Sequence, residues 1–317
     1  MKLSVQLRVS LSSKKWQWGQ KQAGDDFVTL ATQAVDSLAG VRAKSTIDNY
    51  RTALRSFHFF KERNTKMKGV DAIVLENYQC WLSEKGVTLN TISCYMRSLR
   101  SLIHKVLPES DGQRLFRHVF TGKETTAKRA ITIAEMNRLR QLALADESAL
   151  AFSRDLFLFS FYALGMPFVD MAFLKKSQVV DGYILYQRHK TNQRISIRIE
   201  QPMQAIMDRY RHEDSLYVFP ILKSAYPQNA VAEYETARRR YNRHLKRLGI
   251  KANMGQALTS YVARHSWASI AYHANVDLNV ISKALGHTSP NTTLTYIRTI
   301  DDERIDTANR MLLEQMK

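Results

Sequence analysis

Hydrophobic positions recur along the chain with two periods, and the switch between them marks out its elements. Leu3, Val5, Leu7, Val9 and Leu11 alternate with polar residues, the period of a half-buried strand. Residues 1–20 therefore read as an N-terminal strand and arm. Its end, with Lys14, Lys15, Trp16 and Trp18, suits either contact with a polyanion or a plain linker. From Asp25 to about Leu107 the spacing becomes helical. Phe27, Leu30, Ala31 and Ala34 mark a first helix that Gly40 ends, and Ile47, Tyr50, Leu54 and Phe57 follow an expected capping box of Ser45 and Asp48. A third helix runs from near Asp71 through Val74, Tyr78 and Trp81 to Gly86. Thr88 or Asn90 opens a fourth, carrying Ile92, Met96, Leu99, Ile103 and Val106. Four short amphipathic helices can share one core, so residues 21–108 are expected to form a helical domain.

Residues 109–129 are charged and polar and read as a linker. A second domain, 130–317, is expected to begin where Thr132 and Glu135 can form a capping box. Ser153 to Leu164 is apolar around its circumference and predicts a buried helix. Two alternating runs, Tyr183 to Tyr186 and Ile195 to Ile199, flank His189, Lys190, Thr191 and Asn192 and predict a hairpin. Tyr234 to Leu248 loads one helix with Arg238, Arg239, Arg240, Arg243, Lys246 and Arg247. Ile300, Ile305, Ala308 and Leu312 predict a charged amphipathic tail helix. The fold class is mainly α with a small β-sheet or hairpin.

Composition narrows what such a fold can do. Lys and Arg number 47 against 29 Asp and Glu, a formal charge of +18 over 317 residues. That imbalance favours a polyanion, because each phosphate neutralised releases counterions; nucleic acid, ribosomes and membrane surfaces all qualify. The two cysteines, Cys80 and Cys94, have no Cys-x-x-Cys spacing or neighbouring His, so no metal site or disulfide framework is expected, and a reducing cytoplasm fits. No apolar run reaches the roughly 18 residues of a membrane span, and the first residues lack a signal-peptide core.

Candidate chemistry concentrates between Leu258 and Thr299. Thr259 or Ser260 can cap a helix bearing Arg264 and His265; Asp277 can cap the next, with Gly286 just past its end. His287 then lies on a turn, and Tyr296 rides on a short third helix. A guanidinium forks onto non-bridging phosphate oxygens, an imidazole donates a hydrogen bond or moves a proton, and a phenol can become a covalent nucleophile.

The segment ARHSW at 263–267 and LGHTSPNTTLTYI at 285–297 resembles the C-terminal signature of the tyrosine recombinases, the phage-integrase family. GMPFVDMAFLKKSQV at 165–179 and YQRHKTNQRISIRI at 186–199 are similar to its earlier blocks, in the variant of mobile-element integrases. The resemblance implies an N-terminal core-binding domain at 21–108 and a catalytic domain at 130–317. It implies that Tyr296 attacks a DNA phosphodiester, giving a 3′-phosphotyrosyl link and a free 5′-hydroxyl with neither cofactor, metal nor ATP. Arg264 would stabilise the charge, His287 would hydrogen-bond the phosphate, and Lys190 would protonate the leaving oxygen. Arg97 and Arg100 in the first domain and Arg239, Arg243 and Lys246 in the second are the expected contacts to double-stranded DNA. The implied assembly is a homotetramer on DNA whose tail docks on a neighbour, with an accessory DNA-bending protein as a further partner, in the cytoplasm at the nucleoid.

Two positions depart from the family pattern. Tyr261 stands where most members have a histidine; a phenol donates a hydrogen bond but is a poor base at neutral pH. The family's first arginine is missing, its place taken by Leu164 or Pro167. Arg154 lies thirteen residues before Pro167, roughly 20 Å of helix; Arg188, Arg194 and Arg198 on the hairpin are the other substitutes, and the sequence does not choose among them. Asp170 is expected to be a structural partner beside the arginine. The missing arginine and Tyr261 keep a cleavage-deficient DNA-binding protein open as an alternative, with a type IB topoisomerase behind it.

Overall fold

The computed structural model describes residues 27–63, 69–107, 112–124, 129–146, 148–223, 227–297, 310 and 313–314. The expected N-terminal strand and most of the tail helix lie outside those residues. The chain divides into two compact units, Met1–Thr126 and Ala127–Lys317.

The first unit holds α1 (Phe27–Ser37), α2 (Lys44–Arg63), α3 (Ala72–Glu84), α4 (Leu89–Val106) and the single turn α5 (Gly112–Leu115). The apolar stripes read from spacing bury as one cluster centred on Phe57, Leu75, Tyr78, Met96 and Leu99, all fully buried. Phe57 meets Tyr78 edge-on at 5.2 Å, and the Tyr78 hydroxyl is satisfied by donating to Ser56 Oγ at 2.7 Å. Asp71 caps α3 by accepting from the Val74 amide at 2.8 Å. The Ser45 cap does not form: α2 already begins at Lys44, because the Ala43 carbonyl accepts from the Thr46 and Ile47 amides and places Ser45 inside the first turn. Part of the expected linker also packs, since Phe116 and Val119 join this core.

The second unit contains α6 (Ile133–Arg140), α7 (Ala149–Tyr162), α8 (Phe168–Ala172), strands β1 (Val179–Val180), β2 (Tyr183–Gln187) and β3 (Arg194–Arg198), then α9 (Gln201–Arg209), α10 (Pro227–Lys251), α11 (Val262–His273), α12 (Leu278–Ala284) and α13 (Pro290–Leu294). The apolar α7 is its axle, packed by α6, α9, α10 and α11. The capping box of Thr132 and Glu135 forms as expected. The strands make an antiparallel sheet in the order β1-β2-β3, with Ile184 opposite Ile197 and Tyr186 opposite Ile195 turned to the core. β1 and α8 are too short for periodicity to reveal. Ser266 fastens α11 at its centre: its hydroxyl donates to the Val262 carbonyl and accepts from the Ile131 amide at 2.9 Å.

Phe57→Ala is expected to destabilise the first unit by about 3–5 kcal/mol, measured by urea denaturation, while the secondary structure of the second unit persists at denaturant concentrations that unfold the first.

Candidate active site

Two helix ends and one hairpin turn converge on the carbonyl of Leu285. That residue ends α12, whose start Asp277 caps by accepting from the Asn279 and Val280 amides. The chain then leaves through Gly286 at φ +63°, the left-handed conformation expected of a residue past a helix end. The terminal carbonyl is therefore free for side-chain donors, and a helix C-terminus favours cations.

Arg264, from the first turn of α11, is 2% exposed. One of its terminal nitrogens donates to the Gly165 carbonyl at 3.0 Å, and the other donates both to the Leu285 carbonyl and to His287 Nε2, the latter at 3.1 Å. Its Nε is buried without a hydrogen-bond partner. Gly165 makes this seat possible: a Cβ there would fall 2.8 Å from Arg264 Cα, and its φ is +71°.

A guanidinium only donates, so His287 Nε2 accepts and Nδ1 carries the proton. Nδ1 lies 2.9 Å from the buried hydroxyl of Thr293, which fixes the ring. Burial, then the charges of Arg264, Arg188 and Lys190, push the His287 imidazole down to about 4. Tyr296 completes the group. Its ring stacks on His287 at 5.1 Å and meets His265 at 4.6 Å, with the Arg264 guanidinium carbon 5.5 Å from its centre. Its carbonyl accepts from Ser269 Oγ at 3.1 Å and from His265 Nδ1 at 3.4 Å, which ties it to α11. Thus Arg264, His287 and Tyr296 come together as the motif spacing predicts.

Some local details differ. Tyr296 sits two residues beyond the end of α13 rather than on it. Neither Thr259 nor Ser260 caps α11; Tyr261 occupies the N-cap without a side-chain bond, and the Ser260 amide donates instead to Asn242 Oδ1 at 3.0 Å. Tyr261 itself is 50% exposed, one turn before Arg264.

The place of the absent arginine is filled by apolar packing. Pro167 is buried and Leu164 leans on the core at φ +57°. Arg154 is used elsewhere, donating to Asp155 at 2.8 Å and to the Leu142 carbonyl. Arg194 and Arg198 stand on the exposed face of β3. Arg188 is the one that joins the group: it is 5% exposed and donates to the same Leu285 carbonyl as Arg264. Its Nε lies 3.4 Å from Asp170 Oδ2, and Asp170, expected to be structural, is 3% exposed. Gly286 admits this side chain, since a Cβ there would fall 2.7 Å from Arg188 Cδ. Lys190 is exposed in the turn, and its neighbour Thr191 donates to the Gly286 carbonyl at 3.2 Å.

Arg239, Arg243 and Lys246 line one exposed face of α10 together with Asn242, which holds the start of α11. None of the three has an acidic partner among the described residues. Arg97, exposed, and Arg100, half-buried, lie on α4 of the first unit. Sequence reasoning missed Thr293 and Gly165, which carry no chemistry of their own.

Comparison with known proteins identifies the family. The chain matches the Phage integrase family over residues 129–303 and the Phage integrase SAM-like domain over 26–109. It is 22% identical over 280 residues to tyrosine recombinase XerD of Bradyrhizobium diazoefficiens, covering 81% of this chain and 87% of that protein. It is 24% identical over 263 residues to tyrosine recombinase XerA of Pyrococcus furiosus, covering 81% and 84%. Among solved structures, its fold is similar to a lambda integrase dimer bound to a COC′ core site (TM-score 0.65, 14% identity, 86% of this chain and 97% of that one). It is also similar to the Tn1549 transposon integrase in complex with transposon right end DNA (TM-score 0.63, 13% identity, 91% and 100%). The chain belongs to the phage integrase family.

Two measurements follow from the geometry. Gly165→Ala is expected to displace Arg264 and destabilise the second unit by about 1–3 kcal/mol through overpacking and left-handed strain, read as a lower denaturation midpoint. His287 should remain neutral, with the proton on Nδ1, down to about pH 4 in the free protein, because its neutral form is favoured. Its titration should move upward when a duplex brings phosphate charge, as followed by ¹⁵N NMR of the imidazole.

Proposed function

We propose that this protein is a site-specific DNA recombinase or integrase that cleaves and rejoins duplex DNA through a 3′-phosphotyrosyl intermediate. The observation that carries the reading is the pairing of Arg264 and Arg188 on one carbonyl beside Tyr296. The charges of Arg264, Arg188 and Lys190 all bear on His287, whereas among the described residues the carboxylate paired with them is Asp170, on Arg188, so the site holds a surplus of positive charge that a phosphodiester would balance. The unpartnered Arg264 Nε is a further unsatisfied donor there, and leaving such a group unpaired costs about 1–3 kcal/mol.

In this mechanism the Tyr296 oxygen forms a bond to phosphorus as the bond to the 5′-oxygen breaks. Arg264 and Arg188 stabilise the charge on the pentacoordinate phosphorus, the positioned electrostatic contribution that dominates such transfers. His287, once the phosphate charge has raised its titration and protonated Nε2, donates a hydrogen bond to a non-bridging oxygen, Tyr261 donates one from the rim, and Lys190 protonates the departing 5′-oxygen. The 5′-hydroxyl of a partner strand then reverses the step. The covalent link retains the phosphoester's free energy, so no ATP is consumed and no metal is needed. Arg188 in this role answers the missing-arginine motive for reading the chain as a cleavage-deficient scaffold.

Arg239, Arg243 and Lys246 would track the DNA backbone next to the site, and Arg97 and Arg100 would do so from the first unit. A homotetramer on DNA fits strand exchange, and lambda integrase has been solved as a tetramer bound to a Holliday junction. The tail beyond residue 297 is the proposed contact with the neighbouring subunit, and a DNA-bending protein would assist assembly. Among the described residues no helix is long and apolar enough to cross a membrane; we place the work in the cytoplasm, at the nucleoid.

A nicked suicide substrate carrying the target site tests this. Wild type is expected to form a covalent protein–DNA adduct that Tyr296→Phe abolishes. Arg188→Ala should lower the cleavage rate by about 10² or more with duplex binding retained, and binding without any wild-type adduct would leave only a DNA-binding scaffold.

A further inference from the structure

The proposed reaction needs an acceptor for the Tyr296 proton, and neither Tyr261 nor His287 supplies one, while His265 turns its Nδ1 to the Tyr296 carbonyl. Tyr261 carries a phenol where a base is wanted. His287 Nε2 is occupied by the Arg264 donor, and the surrounding positive charge opposes its protonation. Another imidazole lies on the same hairpin turn as Arg188 and Lys190. His189 is gripped by Asp170 twice: its backbone amide donates to Oδ1 at 3.1 Å, and its Nδ1 lies 3.0 Å from the same oxygen.

A carboxylate only accepts, so Nδ1 bears the proton and Nε2 is left as the unprotonated nitrogen. The ring is braced by Phe173 at 5.1 Å, yet the side chain is 47% exposed, so Nε2 is accessible to a ligand. The charged groups around it are Asp170 from α8 and Arg188 and Lys190 from its own turn. The turn is fastened to the site through Thr191 on the Gly286 carbonyl, and His287, next in the chain, stacks on Tyr296. A carboxylate orienting one ring nitrogen while the other handles a proton is the recurring construction of a catalytic imidazole.

We infer that His189, oriented by Asp170, is the proton acceptor of the reaction, doing from the hairpin what Tyr261 cannot do from α11; this rests on the recombinase reading above. As Tyr296 attacks, its proton passes to His189 Nε2 while Lys190 gives a proton to the departing 5′-oxygen. The imidazolium stays paired with Asp170 and faces the charge gathering on phosphorus. On resealing, the 5′-hydroxyl attacks, its proton returns to Lys190, and His189 returns its proton to the Tyr296 oxygen as the phosphotyrosyl bond breaks. One turn, Arg188-His189-Lys190, then supplies the second guanidinium, the base and the acid.

Single-turnover cleavage of two nicked duplexes separates the roles, one with the natural 5′-oxygen at the scissile bond and one with sulfur there, a leaving group that needs no proton. His189→Asn keeps a donor for Asp170 but lacks the basic nitrogen, and it is expected to cleave both duplexes about 10²-fold more slowly with unchanged duplex affinity. Lys190→Ala should be slow on oxygen and restored on sulfur. His189→Asn within threefold of wild type on the oxygen duplex, or restored by sulfur as Lys190→Ala is, would overturn the assignment while a wild-type adduct leaves the recombinase reading intact. His189→Ala serves as the second variant: loss of cleavage in Ala but not in Asn would mean that the side chain only holds the turn, which also overturns it. Absence of an adduct with wild type would remove both.

Discussion

Two positive charges share one main-chain oxygen at the end of α12, and the second unit is arranged so that they can. Arg264 and Arg188 come from elements seventy-six residues apart in the sequence, and like charges so close repel unless something negative lies between them. The Leu285 carbonyl, exposed at a helix C-terminus, and the buried Asp170 carboxylate provide that. Gly165 and Gly286 then act as clearances rather than hinges, each removing the one side-chain carbon that would collide with an arginine. The Leu-Gly-His motif acquires a physical meaning residue by residue: an acceptor, a gap, and a ring.

The same arrangement links the site to the basic surface beside it. Asn242 on α10 holds the Ser260 amide just before α11, so the helix that carries Arg239, Arg243 and Lys246 is fixed against the helix that carries Arg264. In the proposed complex, backbone contacts on α10 would set the register of the duplex relative to Tyr296. Phosphate contacts position the nucleic acid, while sequence is read elsewhere.

The helices of the first unit were legible in the spacing of Phe57, Tyr78, Met96 and Leu99, because burial on one face of a helix leaves a period in the sequence. The capping residues Thr132 and Asp277 were legible for a local reason, a side chain reaching an amide two or three residues on. Ser45 misled because the Ala43 carbonyl started the helix earlier, and side-chain composition carries no trace of that. The grouping of Arg264, His287 and Tyr296 followed from motif order, whereas the choice of Arg188 over Arg194 and Arg198 did not. Strand alternation places Arg194 and Arg198 outward, but Arg188 lies where the strand has already ended, and only its partners Asp170 and Leu285 decide its direction. Thr293 is invisible for a similar reason: its role is a single hydrogen bond to a ring six residues away.

Fastening the turn at Asp170, Leu285 and Gly286 has a mechanical corollary. A loop anchored at Arg188, His189 and Thr191 cannot withdraw as a unit without exposing a buried carboxylate, so the long, unanchored side chain of Lys190 is the moving part. In the proposed reaction, control of strand cutting would then fall on that one ammonium or on the segment bearing Tyr296, which lies beyond the end of α13 and is held to α11 by its carbonyl and its ring.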